Sequence, residues 1–239
     1  FRMALTACDR VGYFTQVAAS WAAVPDVDRW APNVYCEPTD VTEQIVAEAL
    51  TIPGAQAVLN PTRYGVLHNP WLALESAFAA GADFVVLAED DVLVSTDVLD
   101  LMAWAATTLH GDERMLAVRA CSFFEACAPA DEHVLVAAPE FCPLVWGTWA
   151  SRWTGVLRDT WDHDYSSGTP AQPSSGWDWN LNLRIIPAGG YTVAQPKASR
   201  ATHIGVTGTH TTPASYPGSV APTWRARRDR VPPGTWSIR

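Results

Sequence analysis

Residues 83–97 run an apolar stretch, Phe84-Val85-Val86-Leu87-Ala88, straight into three consecutive carboxylates, Glu89, Asp90 and Asp91. Neighbouring acids at the end of a buried strand repel one another and lose hydration, so they call for a positive partner. A divalent cation is the simplest one, and a hard ion such as Mg²⁺ or Mn²⁺ suits oxygen ligands. Magnesium sites of this kind use one or two carboxylates and leave the other positions to substrate phosphates and water. The triplet therefore points to phosphate chemistry, against the plainer reading of a solvated turn. A second segment, Trp177-Asp178-Trp179, sets one carboxylate between two bulky rings. Such walls desolvate an acid and raise its basicity, which suits a general base. Asp162, Asp164 and Glu140 are reserves for that role, the first two in a polar stretch where a solvated loop is the plainer reading.

Alternating strands and helices are needed to hold these groups in place. A strand over 3–7 leads into Cys8-Asp9-Arg10 and then a helix over 13–23. Strand-end loops of this kind are where α/β proteins bind ligands. Tyr35-Cys36-Glu37 lies near the end of a second strand, where Glu37 can accept from a uracil or ribose hydroxyl or remain an ordinary exposed glutamate. Thr39 or Asp40 is placed to cap a helix reaching 50, with Glu43 supporting the cap. Residues 57–59 form a short strand. Leu67, Trp71, Leu74 and Phe78 recur at helical spacing over 67–80. Gly81 ends that helix before a strand over 84–87, and a helix over 98–109 and a strand over 115–119 follow. The pattern predicts an α/β sandwich with a mixed, mainly parallel sheet.

Of 239 residues, 48% are apolar, enough for a substantial core. Sixteen basic residues against 25 acidic ones give a formal charge of −9, which excludes generic attraction to nucleic acid. No apolar run approaches a membrane span, so no stable membrane insertion and a cytoplasmic setting are expected. Five cysteines without paired spacing suggest reduced, structural thiols. Residues 162–176, rich in Gly, Pro and Ser, suggest a loop or lid. Beyond a catalytic domain over 1–210, a proline- and arginine-rich tail over 211–239 either wraps the domain or stays mobile.

Five blocks in order resemble the GT-A glycosyltransferases, a group that includes the N-acetylglucosaminyltransferase of alpha-1,3-mannosyl glycoproteins and family-2-like bacterial sugar transferases. The resemblance spans about residues 3–210. Thr6-Ala7-Cys8-Asp9-Arg10 is similar to the first nucleotide-binding block, and Glu89-Asp90-Asp91 to a variant of the metal-binding DxD motif. Trp146 to Trp153 resembles an acceptor-side aromatic block, and Trp177-Asp178-Trp179 the segment that supplies the catalytic carboxylate of inverting enzymes. Ser199 to Gly205 with Thr209-His210-Thr211 is similar to a late block that completes the donor site.

The resemblance implies a GT-A-like nucleotide-diphospho-sugar transferase fold and an inverting, metal-dependent sugar transfer from a nucleotide diphosphate donor, UDP-linked by preference. Asp91 would be the direct ligand of Mn²⁺ or Mg²⁺, with Glu89 and His210 as further candidates. Asp9, Arg10, Glu37, Asp90, Arg200 and His210 would bind the donor. Arg10 would do so through the rigid fork that suits a diphosphate. Trp146, Trp149, Trp177 and Trp179 would frame the acceptor, with Gly147 permitting close approach, although core packing explains any single tryptophan equally well. Asp178 would be the base. The acceptor class stays open among glycan, protein, lipid-linked sugar and nucleic-acid base. A metal-dependent phosphatase or nucleotidyltransferase and a non-catalytic carbohydrate-binding protein are the alternatives.

Overall fold

The computed structural model describes residues 1–164, 176–207 and 212–239. The first half alternates β1 (Arg2–Ala7), α1 (Val11–Ala22), β2 (Asn33–Cys36), α2 (Thr42–Ala49), β3 (Gln56–Leu59), α3 (Gly65–Ala79) and β4 (Phe84–Glu89). β5 (Val92–Val94), α4 (Val98–Thr108), β6 (Met115–Arg119), β7 (Val134–Ala138) and β8 (Val145–Trp149) follow. Two helices then each contain a π-helical middle. One joins α5 (Ala150–Arg152) to α6 (Arg158–Thr160), and the other joins α7 (Trp177–Asn180) to α8 (Ile186–Gly189). β9 (Thr192–Pro196), β10 (Ala201–His203) and β11 (Ser237–Ile238) complete the chain.

Nine strands form one sheet in the order β11-β7-β9-β6-β8-β4-β1-β2-β3. Among the described residues five of its pairings are parallel and three, each involving a strand of the second half, are antiparallel. β4 is buried on both faces, which is why it reads as a continuous apolar run rather than an alternation. Phe84, Val86 and Ala88 enter one core with Phe14, Val17 and Trp21 of α1. Val85 and Leu87 enter the other with Ala73, Leu74 and Ala77 of α3. With both faces filled, β4 is held rigidly and delivers Glu89 to the sheet's carboxyl edge.

Two expectations are corrected. α2 is capped by neither Thr39 nor Asp40: Val41 occupies the cap position without a side-chain bond. The Thr42 hydroxyl instead turns back to the carbonyls of Glu37 at 3.0 Å and Thr39 at 2.8 Å, bracing the loop after β2. Gly147 does leave room for a close approach, but Phe84 takes it. A Cβ there would lie 2.4 Å from the Phe84 ring.

β5 and β10 form a separate antiparallel ribbon that pairs His203 with Val92. Residues 212–239 run along the body, and β11 joins the sheet edge beside β7. All five cysteines are free thiols. Among the described residues, no helix is long and apolar enough to cross a membrane.

Candidate active site

A cavity of about 720 Å³ opens at the carboxyl ends of β1, β2 and β4. Cys8, Asp9 and Arg10 enter it from β1, Glu37 from β2 and the acidic triplet from β4. Arg63 and the first turn of α3 form one wall; Trp177, Asp178 and Trp179 form another, and His203 closes a third side. Parallel strands that end together beside a helix start create such a crevice.

Asp90 and Asp91 are both buried, and Arg10 bridges them. One guanidinium nitrogen donates to Asp91 Oδ2 at 2.5 Å, and the other pairs with Asp90 Oδ1. Asp90 Oδ2 also accepts from the Cys8 backbone N–H at 3.1 Å, which ties the loop after β1 to the triplet. Burial works against the Arg10 charge, but Asp90 and Asp91 outweigh it and hold the guanidinium above its usual range. Burial pushes Asp91 upward, yet hydrogen bonds from His203 and Arg10 and their charges prevail, so its carboxyl lies below the usual range. Asp90 lies above it, because burial and the Asp91 charge exceed the help from Arg10.

Asp91 Oδ1 is buried without a partner, whereas Oδ2 also accepts from His203 Nε2 at 3.0 Å. An orphaned carboxylate oxygen in a polar cavity suits one bond to a hard cation. Among the described residues no three His, Cys, Asp or Glu side chains converge as a metal cage. The donor set therefore fits an ion that takes one protein oxygen and draws its other ligands from phosphate and water. Gly205 lies against this corner: a Cβ there would be 2.4 Å from Asp91 Oδ2, so only glycine leaves the carboxylate room.

On the opposite wall, Glu37 accepts from the Tyr64 N–H at 2.8 Å and the Gly65 N–H at 2.9 Å. Both carboxylate oxygens thus fix the entry to α3, where Gly65 takes a positive φ of 69°. Three pocket residues escaped the sequence reading. Exposed Arg63 reaches Cys8 Sγ and Asp9 Oδ2, each at 3.3 Å, leaving most of its donors open. Buried Asn69 donates to the Tyr35 carbonyl and accepts from Asn60, while His68 stands beside it on the first turns of α3. Arg63 lies in the short loop after β3, a polar strand-end signal, whereas His68 and Asn69 lie within α3 and carry no such mark.

Asp178 lies in α7, whose position is set by Asn182. That side chain donates to the Asp178 carbonyl at 3.1 Å and accepts from the Phe141 N–H at 2.7 Å. Trp177 stacks on Trp161 at 4.2 Å and tilts against Trp146 at 5.8 Å. Glu89 is pushed well above the usual carboxylate range, first by burial and then by the charges of Asp91, Asp178 and Asp90. The cavity therefore brings a carboxyl that favours its proton close to the acid on α7.

Some expected residues stand elsewhere. Trp146 and Trp149 are core residues and not acceptor walls: both are fully buried, and Trp149 Nε1 donates to the Ala106 carbonyl at 2.9 Å. Trp153 is also buried, with its indole N–H on Glu75. Arg200 is outside the cavity lining, fully buried and bonded to Asp97 and the Ala198 carbonyl. His210 and most of the 162–176 loop lie outside the described residues.

No protein-family model and no curated protein sequence matches the chain. Among solved structures, S. aureus TarS residues 1–349 with UDP-GlcNAc aligns at TM-score 0.57 and 13% identity, over 88% of this chain and 60% of that one. The same region with UDP aligns at 0.55 and 13%, over 84% and 60%. A longer TarS structure aligns at 0.56 and 13%, over 86% and 37%. The chain thus spans about 37–60% of the length of these structures. The likeness is one of architecture, a GT-A-like α/β fold with a mainly parallel central sheet.

Proposed function

We propose that this chain is an inverting glycosyltransferase that takes a sugar from a UDP-linked donor to an acceptor hydroxyl. The observation that carries the reading is the 720 Å³ cavity, which has an arginine-bridged aspartate pair on one side and Asp178 on another. Its volume suits a nucleotide sugar, and its fold is that of a protein solved with UDP-GlcNAc. UDP-GlcNAc is accordingly the first donor to test.

Arg63 and Arg10 offer guanidinium donors to the diphosphate. Arg63 can turn with little loss, because its contacts to Cys8 and Asp9 are long and exposed. Asp91 Oδ1, with the donor's phosphate oxygens, would hold Mn²⁺ or Mg²⁺; Glu89 and His210 remain further candidate ligands. When bound, the ion supplies Lewis-acid neutralisation of charge on the departing diphosphate. Asp178 accepts the proton of the acceptor hydroxyl as that oxygen attacks the anomeric carbon from the face opposite the diphosphate. Trp179 beside it, half-buried at the cavity, supplies aromatic surface for a sugar ring, while Trp177, expected as an acceptor wall, is buried against Trp161 and anchors α7.

A thermal-shift panel of UDP, GDP and dTDP sugars, with and without Mn²⁺, tests this reading. Stabilisation by UDP-GlcNAc that grows with Mn²⁺ is expected. A shift produced by glycans alone, indifferent to UDP and Mn²⁺, would move the assignment to a binding protein. Retention of configuration in the product would contradict the single displacement.

A further inference from the structure

The arginine-rich end of the chain builds a second groove of about 770 Å³, lined by four arginines and only two carboxylates in a chain of net charge −9. α1 connects the two sites. Arg10 at its start lies in the first cavity and Ala23 at its end lines the groove. Twelve helical residues separate them by about 18 Å.

The groove is held by bonds from Thr96 to the backbone of the arginine segment. Thr96 N–H donates to the Ala226 carbonyl at 3.2 Å, the Arg228 N–H donates to Thr96 Oγ1 at 2.9 Å, and that hydroxyl donates to the Arg228 carbonyl at 2.8 Å. The peptide carrying the arginines is therefore fixed before any ligand arrives. Two of its arginines are structural. Arg230 pairs with Asp26 and Asp100, and Arg228 with Glu132. Arg225 and Arg227 differ: both are exposed, neither has an ion-pair partner among the described residues, and both face the groove. Arg228 adds buried positive charge to the same groove. Its side chain is only 8% exposed, and its Nε is buried without an acceptor. Its terminal nitrogens bond Glu132 and the Thr223 carbonyl, the latter at 3.0 Å, so it lends the groove charge and leaves donation to Arg225 and Arg227.

We propose that this groove is an anion site for phosphate esters, separate from the donor cavity, with Arg225 and Arg227 as its clamps and the buried Arg228 charge beneath them. Planar guanidinium forks match phosphate oxygens, and two facing one groove over a third, buried charge favour a ligand with several phosphate oxygens over a single carboxylate. The phosphate can belong to a soluble ester or to a lipid headgroup, and the test separates these sources.

Titration of the full chain with inorganic tripolyphosphate, in EDTA, gives the first arm. Saturable binding that weakens with added salt is expected. The Arg225→Gln/Arg227→Gln variant should lose about tenfold or more in affinity while keeping its Tm and its UDP binding. Arg228→Lys, which keeps charge but removes Nε, should lose less. The second arm is co-sedimentation with phosphatidylglycerol vesicles against phosphatidylcholine vesicles. Tripolyphosphate binding without vesicle capture assigns a soluble ester; capture by the anionic vesicles that depends on the same arginines assigns a headgroup. Wild-type protein that binds neither probe, or a double variant that binds both as well as wild type, overturns the site. Because neither probe is a nucleotide sugar, this result is independent of the donor reading.

Discussion

Two arginine–aspartate contacts in this chain have the same chemistry and opposite electrostatics. Arg10 bridges Asp90 and Asp91 with its side chain 31% exposed at the cavity, whereas Arg200 and Asp97 pair at 3.0 Å with both side chains fully buried. In the first contact the guanidinium rises above its usual range and Asp91 falls below it, so those two charges are favoured, while burial raises Asp90. In the second, burial dominates: Asp97 is raised and Arg200 lowered despite their mutual attraction. Trp236 lies over Arg200, 4.9 Å from its guanidinium carbon, and excludes water. Asp97 Oδ1 and one Arg200 terminal nitrogen also lack partners. A wet pair at a cavity can exchange partners with a ligand; a dry pair has only structure to serve.

The strongest test of that contrast is to break the dry pair. Arg200→Met leaves Asp97 buried and uncompensated, and should cost about 3–5 kcal/mol of stability by denaturant unfolding. Adding Asp97→Leu should recover most of the loss, since two apolar groups remove the desolvation penalty. A stable single variant would show that water reaches this pair.

Cavity acids should behave in the reverse way, with chemistry lost and the fold retained. Asp178→Asn is expected to lower sugar transfer by about 10²-fold or more and to leave UDP affinity nearly unchanged by calorimetry. Near-normal transfer in a folded variant would turn attention to Glu140, Asp162 or Asp164. Asp91→Asn should unfold at a similar temperature but lose about tenfold or more of its Mn²⁺-dependent UDP affinity. Unchanged affinity there would remove Asp91 as a ligand.

The smallest effect concerns Glu89. A carboxyl whose folded pKa is raised binds more protons in the native state, so its contribution to stability falls as pH climbs from the unfolded value toward the folded one. In EDTA, Glu89→Gln should therefore raise Tm at neutral pH, by about 2–4 °C for each kcal/mol recovered, and flatten the decline between those two pH values. A fall in Tm would mean that the ionised form is welcome there.

The parallel half was legible because each strand and its crossover helix are local. Apolar runs, Gly81 and the polar strand ends mark β1, β2, β4 and their loops directly in the chain. The second half depends on distant pairings. Nothing near Leu93 announces Thr202 as its partner, and nothing near Leu135 announces Pro196 or Ile238. Trp146 and Trp149 resemble acceptor walls in composition, but filling a core and stacking on a sugar need the same apolar ring. Only the neighbouring strands decide between them, and β8 lies between β4 and β6. Arg10 was legible as a cavity residue, although its present partners are carboxylates.

The cover on Asp91 has a consequence for how the chain comes together. His203 reaches it across 112 residues of sequence, and Gly205 arrives only with the same late segment. Contacts of such separation carry a large loop-closure cost and form late. A growing chain would complete β1 to β4, and with them the nucleotide end of the cavity, well before the ribbon that steadies Asp91 has been made. Arg10, already present, can shield the acidic triplet in that interval, serving the unfinished chain as an internal counterion.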